Sequence, residues 1–345
     1  MNLRTKNLVV LFPWDILLLS FSGFMNQIED LGKHFKSIMI FGFEDVKETE
    51  RIINIIEHNS IFMTFIPGGM NGLKIAKILR KNHRKFFLRT HSTIAEEFKV
   101  NHKFFGTLLY PLIKLCSDVV MKEAIKGDVP NFSTGRILYP KLKKQHKILS
   151  CSFLKARKEK KRKEGNFEEP YKLLYVGKLE PKKGVKYLLS AVANLKYDFE
   201  LHIVGGGRLL KQLIRLAISL GIDEKVNFHN HIHFGETLLD FYRWADICIV
   251  PSLEEMQGKT WLEAMSFGLP VIATNIDGIN NYVIDEVNGL LVTPKSPFSI
   301  SMAVENLIED KVLRQKVVNG GYRFAVRNDI KEMNKGIVEV LRKEW

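Results

Sequence analysis

Cysteine is scarce. Only Cys116, Cys151 and Cys248 occur among 345 residues, too widely spaced for a metal or redox motif. That usage excludes a disulfide framework and fits a reducing compartment. No segment reaches the ~20 apolar residues of a membrane-spanning helix. The apolar run Leu8–Phe24, preceded by Arg4 and Lys6, superficially resembles a signal peptide. Pro13 and Asp15 interrupt it and no clear small-x-small cleavage site follows. It reads as a buried first strand running into a loop, with a signal anchor as the alternative. Disordered and fibrous classes are excluded too, since 46% of residues are apolar and 26% charged, an ordinary globular composition.

Acidic residues are in deficit, 38 against 52 Lys and Arg, a formal charge of +14. The excess is local. Residues 1–140 carry a net +6, residues 141–163 carry +10 with 11 basic side chains and one acidic, and residues 164–345 carry −2. Such a patch suits an anionic membrane surface or nucleic acid, or is a solvated linker. Nucleic acid ranks last, because the run has no aromatic interleaving, zinc spacing or binding module.

At roughly 100–200 residues per domain, the length predicts two domains. The second half alternates short aliphatic runs (Lys172–Gly177, Glu200–Val204, Lys225–His229, Ile247–Pro251, Val271–Thr274) with segments of helical spacing (Val185–Leu195, Leu209–Leu220, Thr237–Trp244, Lys259–Phe267). This alternation predicts a parallel sheet covered by helices on both faces. Three further helices are expected over Ser299–Glu309, Val312–Ala325 and Lys331–Lys343. The first half repeats the pattern less regularly. Strands are expected at Leu8–Phe12, Ser37–Gly42, Ser60–Ile66, Lys85–Arg89 and Asp118–Met121, with helices near Asn26–Phe35 and Gly72–Lys81. The expected organisation is an N-terminal Rossmann-like domain over 1–140, a basic linker over 141–170, a C-terminal Rossmann-like domain over 171–328, and a final helix over 329–345 packing back on the first domain.

Chemistry concentrates where strands end. Gly177, Gly205–Gly207 and Ser252 follow predicted strands, at the edge where open α/β sheets bind ligands. Lys178 and Lys183 lie between a strand and a helix, where two cations can neutralise a diphosphate without a metal ion. Glu255 and Glu263 flank a helix start near Gly258. Were the whole span helical they would lie about 12 Å apart along the axis, so one ligand touching both is elongated. A nucleotide-sugar fits: carboxylates accept hydrogen bonds from vicinal hydroxyls at either end, and amides at the helix start, Gly258, Lys259 and Thr260, face the phosphates.

Over Leu173–Ala325 these pieces occur in an order that resembles the retaining GT-B glycosyltransferases of family 4. Leu174–Gly184 resembles the family's VGR-L-x-x-x-KG segment, Ile203–Gly207 its IVG-x-G turn, and FYRWADICIVPS its Y-x-x-AD…PS segment. Glu255–Pro270 resembles its E-x7-E helix with EAM-x-x-G-x-P-V, and Asn288–Val292 its G-L-L-V strand. The resemblance implies an α/β GT-B fold, two Rossmann-like domains with parallel sheets facing across a cleft. It implies a donor diphosphate held by Lys178 and Lys183, donor-sugar hydroxyls on Glu255, ribose on Glu263, and backbone approach at Gly278. In the first half it implies a glycine loop at Ser22-Gly23 and a His near the transferred sugar, His91. The sequence departs from the family at Lys178 for Arg, Met256-Gln257 for Gly-Phe, Asn280-Asn281 for Pro-Glu, Val287 and Asn230 for Gly, and Pro130-Asn131-Phe132 for Pro-Asn-Gly.

No two aspartates stand at D-x-D spacing, the metal motif of the other common glycosyltransferase architecture, so metal-independent transfer from a UDP- or GDP-sugar is expected, with no cofactor. The resemblance implies retention of configuration and an acceptor that is a glycan or lipid-linked. Lys74, Lys77, Arg80, Lys81 and Arg84, at three- and four-residue steps, are expected to form one basic stripe. With the apolar stretch Phe104–Cys116, which is otherwise core, they suit an anionic bilayer. A cytoplasmic enzyme of surface polysaccharide or glycolipid synthesis, peripheral on the inner face of the membrane, follows as the expectation. A sugar-nucleotide epimerase of the same fold and a catalytically silent membrane-binding scaffold remain the alternatives.

Overall fold

Consecutive apolar residues at Leu8–Leu11, all fully buried, give a strand covered on both faces, the signature of a parallel sheet interior. In the computed structural model the described residues are 2–13, 28–43, 51, 53, 55–58, 60–66, 69–90, 130–134, 145–148, 167–233, 235–255 and 258–344. They divide into two units, Met1–Leu149 with Lys331–Trp345, and Ser150–Ile330.

The first unit holds strands β1 (Asn7–Pro13), β2 (Ser37–Phe43), β3 (Ile61–Ile66), β4 (Lys85–Thr90), β5 (Asn131–Thr134) and β6 (Gln145–Ile148), with helix α1 (Gly69–Lys81) between β3 and β4. The sheet order is β2-β1-β3-β4-β5-β6, and the paired strands run parallel. Residues 145–148 fall inside the expected basic linker, yet form the edge strand of this sheet. The lysine-rich composition around it is what makes the strand read as solvated linker. The expected strand at Asp118–Met121 and the stretch Phe104–Cys116 lie outside the described residues.

Helix α1 turns Ile75, Ala76 and Leu79 into the core, while Lys74, Lys77 and Lys81 are exposed and Arg80 half-buried. Arg84 departs from the expected stripe. The helix ends at Lys81, His83 takes a left-handed φ of 51°, and the chain turns inward. Arg84 is 6% exposed and its Nη2 donates to the carbonyls of Ile53 at 2.5 Å and Ile56 at 2.7 Å. It is a buried brace, not a surface cation.

The second unit alternates β7 (Tyr171–Val176), α2 (Val185–Val192), β8 (Phe199–Val204), α3 (Leu210–Ser219), β9 (Val226–His229), α4 (Glu236–Trp244), β10 (Ile247–Val250), α5 (Thr260–Ser266), β11 (Val271–Thr274) and β12 (Leu290–Val292), then α6 (Pro297–Glu309) and α7 (Lys311–Arg327). Strands β10 and β11 are buried along their whole length, as central parallel strands require. Ser296 caps α6 through Ser299 N and Asp310 caps α7 through Leu313 N, each side chain satisfying an amide the helix start leaves open. Trp261 on α5 is fully buried, stacked on Tyr282 with Phe324 of α7 on another side. The last helix, α8 (Ile330–Glu344), is tied to residue 30 by Asn334 Nδ2 donating to Asp30 Oδ2 at 3.2 Å.

Among the described residues no helix is long and apolar enough to cross a membrane.

Candidate active site

The second sheet has the order β12-β11-β10-β7-β8-β9, the doubly wound 3-2-1-4-5-6 arrangement. Its strand order reverses between β7 and β10, and ligands of such sheets bind outside the carboxyl ends of the strands at that point. The turn after β7 supplies Lys178 and Lys183. The turn after β10 supplies Ser252 and Glu255.

These two turns are bonded to each other. Leu253 N donates to Lys182 O at 2.7 Å. Gly184 sits at φ 67°, and a Cβ there would meet Pro251 O at 1.9 Å, so only glycine lets the two backbones approach this closely. The packing brings Lys183 Nζ onto Glu255 Oε1, and Ser252 Oγ donates to the same oxygen at 3.1 Å. Both charged side chains are largely enclosed, 19% and 12% exposed, so their attraction is only weakly screened. Lys178 is exposed on the same turn, and its carbonyl accepts from the buried Tyr175 hydroxyl at 2.9 Å. Burial, then the Glu255 charge, pushes that hydroxyl up and keeps it protonated.

Glu255 lies in the loop, because α5 begins only at Thr260; the eight-residue span to Glu263 is not wholly helical. Glu263 sits in the first turn of α5, 7% exposed. Burial pushes its carboxyl up, opposed by a hydrogen bond from Tyr242 and by the Lys259 charge. Tyr242 Oη donates to Glu263 Oε2 at 2.8 Å. A Cβ on Gly258 would lie 3.5 Å from the Glu255 carboxyl carbon and 3.3 Å from the Trp261 ring nitrogen, so Gly258 lies between Glu255 and the start of α5. Lys259 precedes α5, and its carbonyl accepts from Glu263 N.

Several expected ligand contacts are already committed to protein. Gly177 N donates to Val204 O, Gly205 N to His229 O, and Leu179 N to Gly206 O. These glycines knit adjacent strand ends. Thr260 Oγ1 donates to Val176 O at 3.2 Å, fixing the start of α5 against β7. Gly278 lies in the turn after β11, half-exposed. Thr274, at the end of that strand, donates its hydroxyl to Ser252 O. Gly23 and His91 lie outside the described residues, as do Met256 and Gln257. Among the described residues no group of three His, Cys, Asp or Glu is placed to hold a metal ion. The Ser252 and Tyr242 contacts were not legible in the sequence, since each joins turns or helices through tertiary packing; the signals were that Ser252 directly follows a strand and that Tyr242 opens the Y-x-x-AD segment.

The second unit is a doubly wound α/β domain with paired opposite charges at its switch point. Comparison with known proteins specifies it further. Residues 156–324 match the family described as glycosyl transferases group 1. An uncharacterized glycosyltransferase of Methanocaldococcus jannaschii is 36% identical over 149 residues, 43% of this chain and 38% of that protein. A D-inositol 3-phosphate glycosyltransferase of Geodermatophilus obscurus is 33% identical over 175 residues, 47% of this chain and 38% of that protein. The matched region thus spans about two fifths of the length of these relatives. Two solved structures share the fold along the chain. A glycosyltransferase from Rickettsia africae has a TM-score of 0.73 at 14% identity, covering 99% of both chains. Anabaena HepE in complex with UDP has a TM-score of 0.71 at 15% identity, covering 98% of this chain and 100% of that one. The architecture is α/β of the GT-B class, and residues 156–324 are similar to the group 1 glycosyl transferases.

Proposed function

We propose that the chain transfers a hexose-type sugar from a nucleoside-diphosphate sugar to a glycan or lipid-linked acceptor, with retention of configuration and without a metal ion. The observation that carries this reading is the meeting of Lys183 and Glu255 at the switch point of the second sheet. In a donor complex the diphosphate takes Lys183, assisted by Lys178. Glu255, released from that cation, accepts hydrogen bonds from the sugar hydroxyls, and Glu263 accepts them from the ribose. The bond from the anomeric carbon to the diphosphate oxygen breaks with its electron pair passing to the diphosphate. The acceptor oxygen bonds to the anomeric carbon on the same face, and its proton passes to the leaving diphosphate. Fixed cations aimed at charge that develops in the transition state are the main catalytic device here.

Support comes from the family of residues 156–324 and from HepE, whose structures include complexes with UDP and with UDP-glucose. Roles for His91 and Gly23 rest on the family resemblance. The proposal extends to surface polysaccharide or glycolipid synthesis at the cytoplasmic membrane face, with the Lys74, Lys77 and Lys81 side of α1 toward anionic lipid.

A thermal-shift panel of UDP-, GDP- and ADP-sugars tests donor binding, because a ligand of the native state raises its melting temperature. One of the three is expected to stabilise the protein, and its turnover to persist in EDTA. No stabilisation by any would refute the reading, and activity abolished by EDTA would refute the metal-free step.

A further inference from the structure

Tyr242 has no part in the family roles assigned above, yet it makes a buried polar contact to a proposed donor ligand. It lies on α4, is fully buried, and its ring stacks on Phe267 at 5.4 Å and 14°. Its hydroxyl donates to Glu263 Oε2 at 2.8 Å, so two helices contribute to one carboxylate. The hydroxyl stays a donor at any working pH, because burial first, and the Glu263 charge second, hold it far above its usual range.

We propose that Tyr242 is a positioning residue for nucleotide binding: by occupying one oxygen of Glu263 it fixes the carboxylate plane and presents the other oxygen to the vicinal hydroxyls of the ribose. The inference rests on the reading that Glu263 receives the ribose. The physical case has three parts. A carboxylate in an apolar setting needs a hydrogen-bond partner to remain ionised. Here Tyr242, together with the Lys259 charge, works against the burial that raises the carboxyl. Cys248, the other titratable neighbour, is itself buried and has its thiol pushed up by burial and by Glu263, so it adds no competing charge. A carboxylate can accept from several donors at once, so a bond to Oε2 leaves Oε1 open to a second. Finally, the stacked phenol cannot rotate away without leaving Phe267, so the donor direction is set by packing rather than by a mobile side chain.

The test titrates UDP, GDP and ADP, and their 2′-deoxy and 3′-deoxy counterparts, into wild type, Tyr242→Phe, Glu263→Gln and Lys183→Ala by calorimetry between pH 5.5 and 8.5. Phenylalanine keeps the ring stack and removes only the donor; unfolding curves without nucleotide report any general loss. Tyr242→Phe is expected to weaken the preferred ribonucleotide about tenfold, to narrow its advantage over the deoxy forms, and to lose affinity at a higher pH than wild type on acidification. A merely structural role would weaken ribo and deoxy forms alike, leaving their ratio and the pH profile unmoved, and that result overturns the proposal. If Glu263→Gln loses the ribo preference while Tyr242→Phe keeps it, Tyr242 is excluded and the ribose assignment stands. If both behave as wild type while Lys183→Ala loses binding, the ribose assignment fails and the proposal with it. Binding of none of the three nucleotides by wild type overturns the donor reading itself.

Discussion

Gly184 gives the most quantitative test of how the site is assembled. Two glycines of the second unit, Gly184 and Gly221, share φ 67°, but a Cβ at Gly184 meets Pro251 O at 1.9 Å while one at Gly221 meets nothing within 4 Å. Alanine at Gly221 therefore costs only the left-handed conformation, about 1–2 kcal/mol. Alanine at Gly184 adds a forced separation of about 1.5 Å to reach ordinary contact. That separation strains the packing by ~1–3 kcal/mol and breaks the 2.7 Å bond from Leu253 N to Lys182 O, worth about 1 kcal/mol. The excess of Gly184→Ala over Gly221→Ala is then about 3 kcal/mol, or ~6–12 °C in melting temperature for a unit of this size. Differential scanning calorimetry of both variants measures it directly. Equal melting temperatures would refute the close approach of the two turns, and with it the account of how Lys183 reaches Glu255.

Other consequences are as specific. Arg84→Met leaves the Ile53 and Ile56 carbonyls without their donor, and is expected to destabilise the first unit by about 2–4 kcal/mol in urea unfolding; a loss below ~0.5 kcal/mol would return Arg84 to the surface stripe. Because burial raises the Glu263 carboxyl, its protonated form favours folding, a contribution complete below the unfolded carboxyl range and lost as pH rises through the raised folded value. Glu263→Gln should therefore gain melting temperature relative to wild type between pH 4 and pH 8 without nucleotide, and a gap constant across that range would contradict the shift. Flotation with vesicles of anionic lipid at physiological salt should retain wild type and release a Lys74→Glu, Lys77→Glu, Lys81→Glu variant; equal flotation would end the membrane proposal for α1.

The second unit was legible because its strands are runs such as Ile247–Val250 and Val271–Thr274, whose largely β-branched, almost wholly apolar composition has no good use outside a sheet interior. Its cations and carboxylates sit at strand ends, where topology makes charge informative. Periodicity failed at Arg84 because nothing local marks the end of α1. His83 adopts a left-handed conformation more often filled by glycine or asparagine, and Asn82 closes the helix by donating to Ile78 O. Strand β6 was hidden because it lies within a lysine-rich run of the sequence, which reads as solvated linker. The bond from Tyr242 to Glu263 was invisible for a different reason. Its partners are 21 residues apart, on separate helices, and only the packed fold sets their distance.

The central claim is that Lys183 and Glu255 act on one donor. Rates of sugar transfer from the stabilising nucleotide-sugar, measured at saturation for wild type, Lys183→Ala and Glu255→Ala, test it most directly. Each variant is expected to lose about 100-fold or more in kcat, the scale of removing one preorganised electrostatic group, with unfolding curves near those of wild type. Both variants turning over at the wild-type rate would contradict the account.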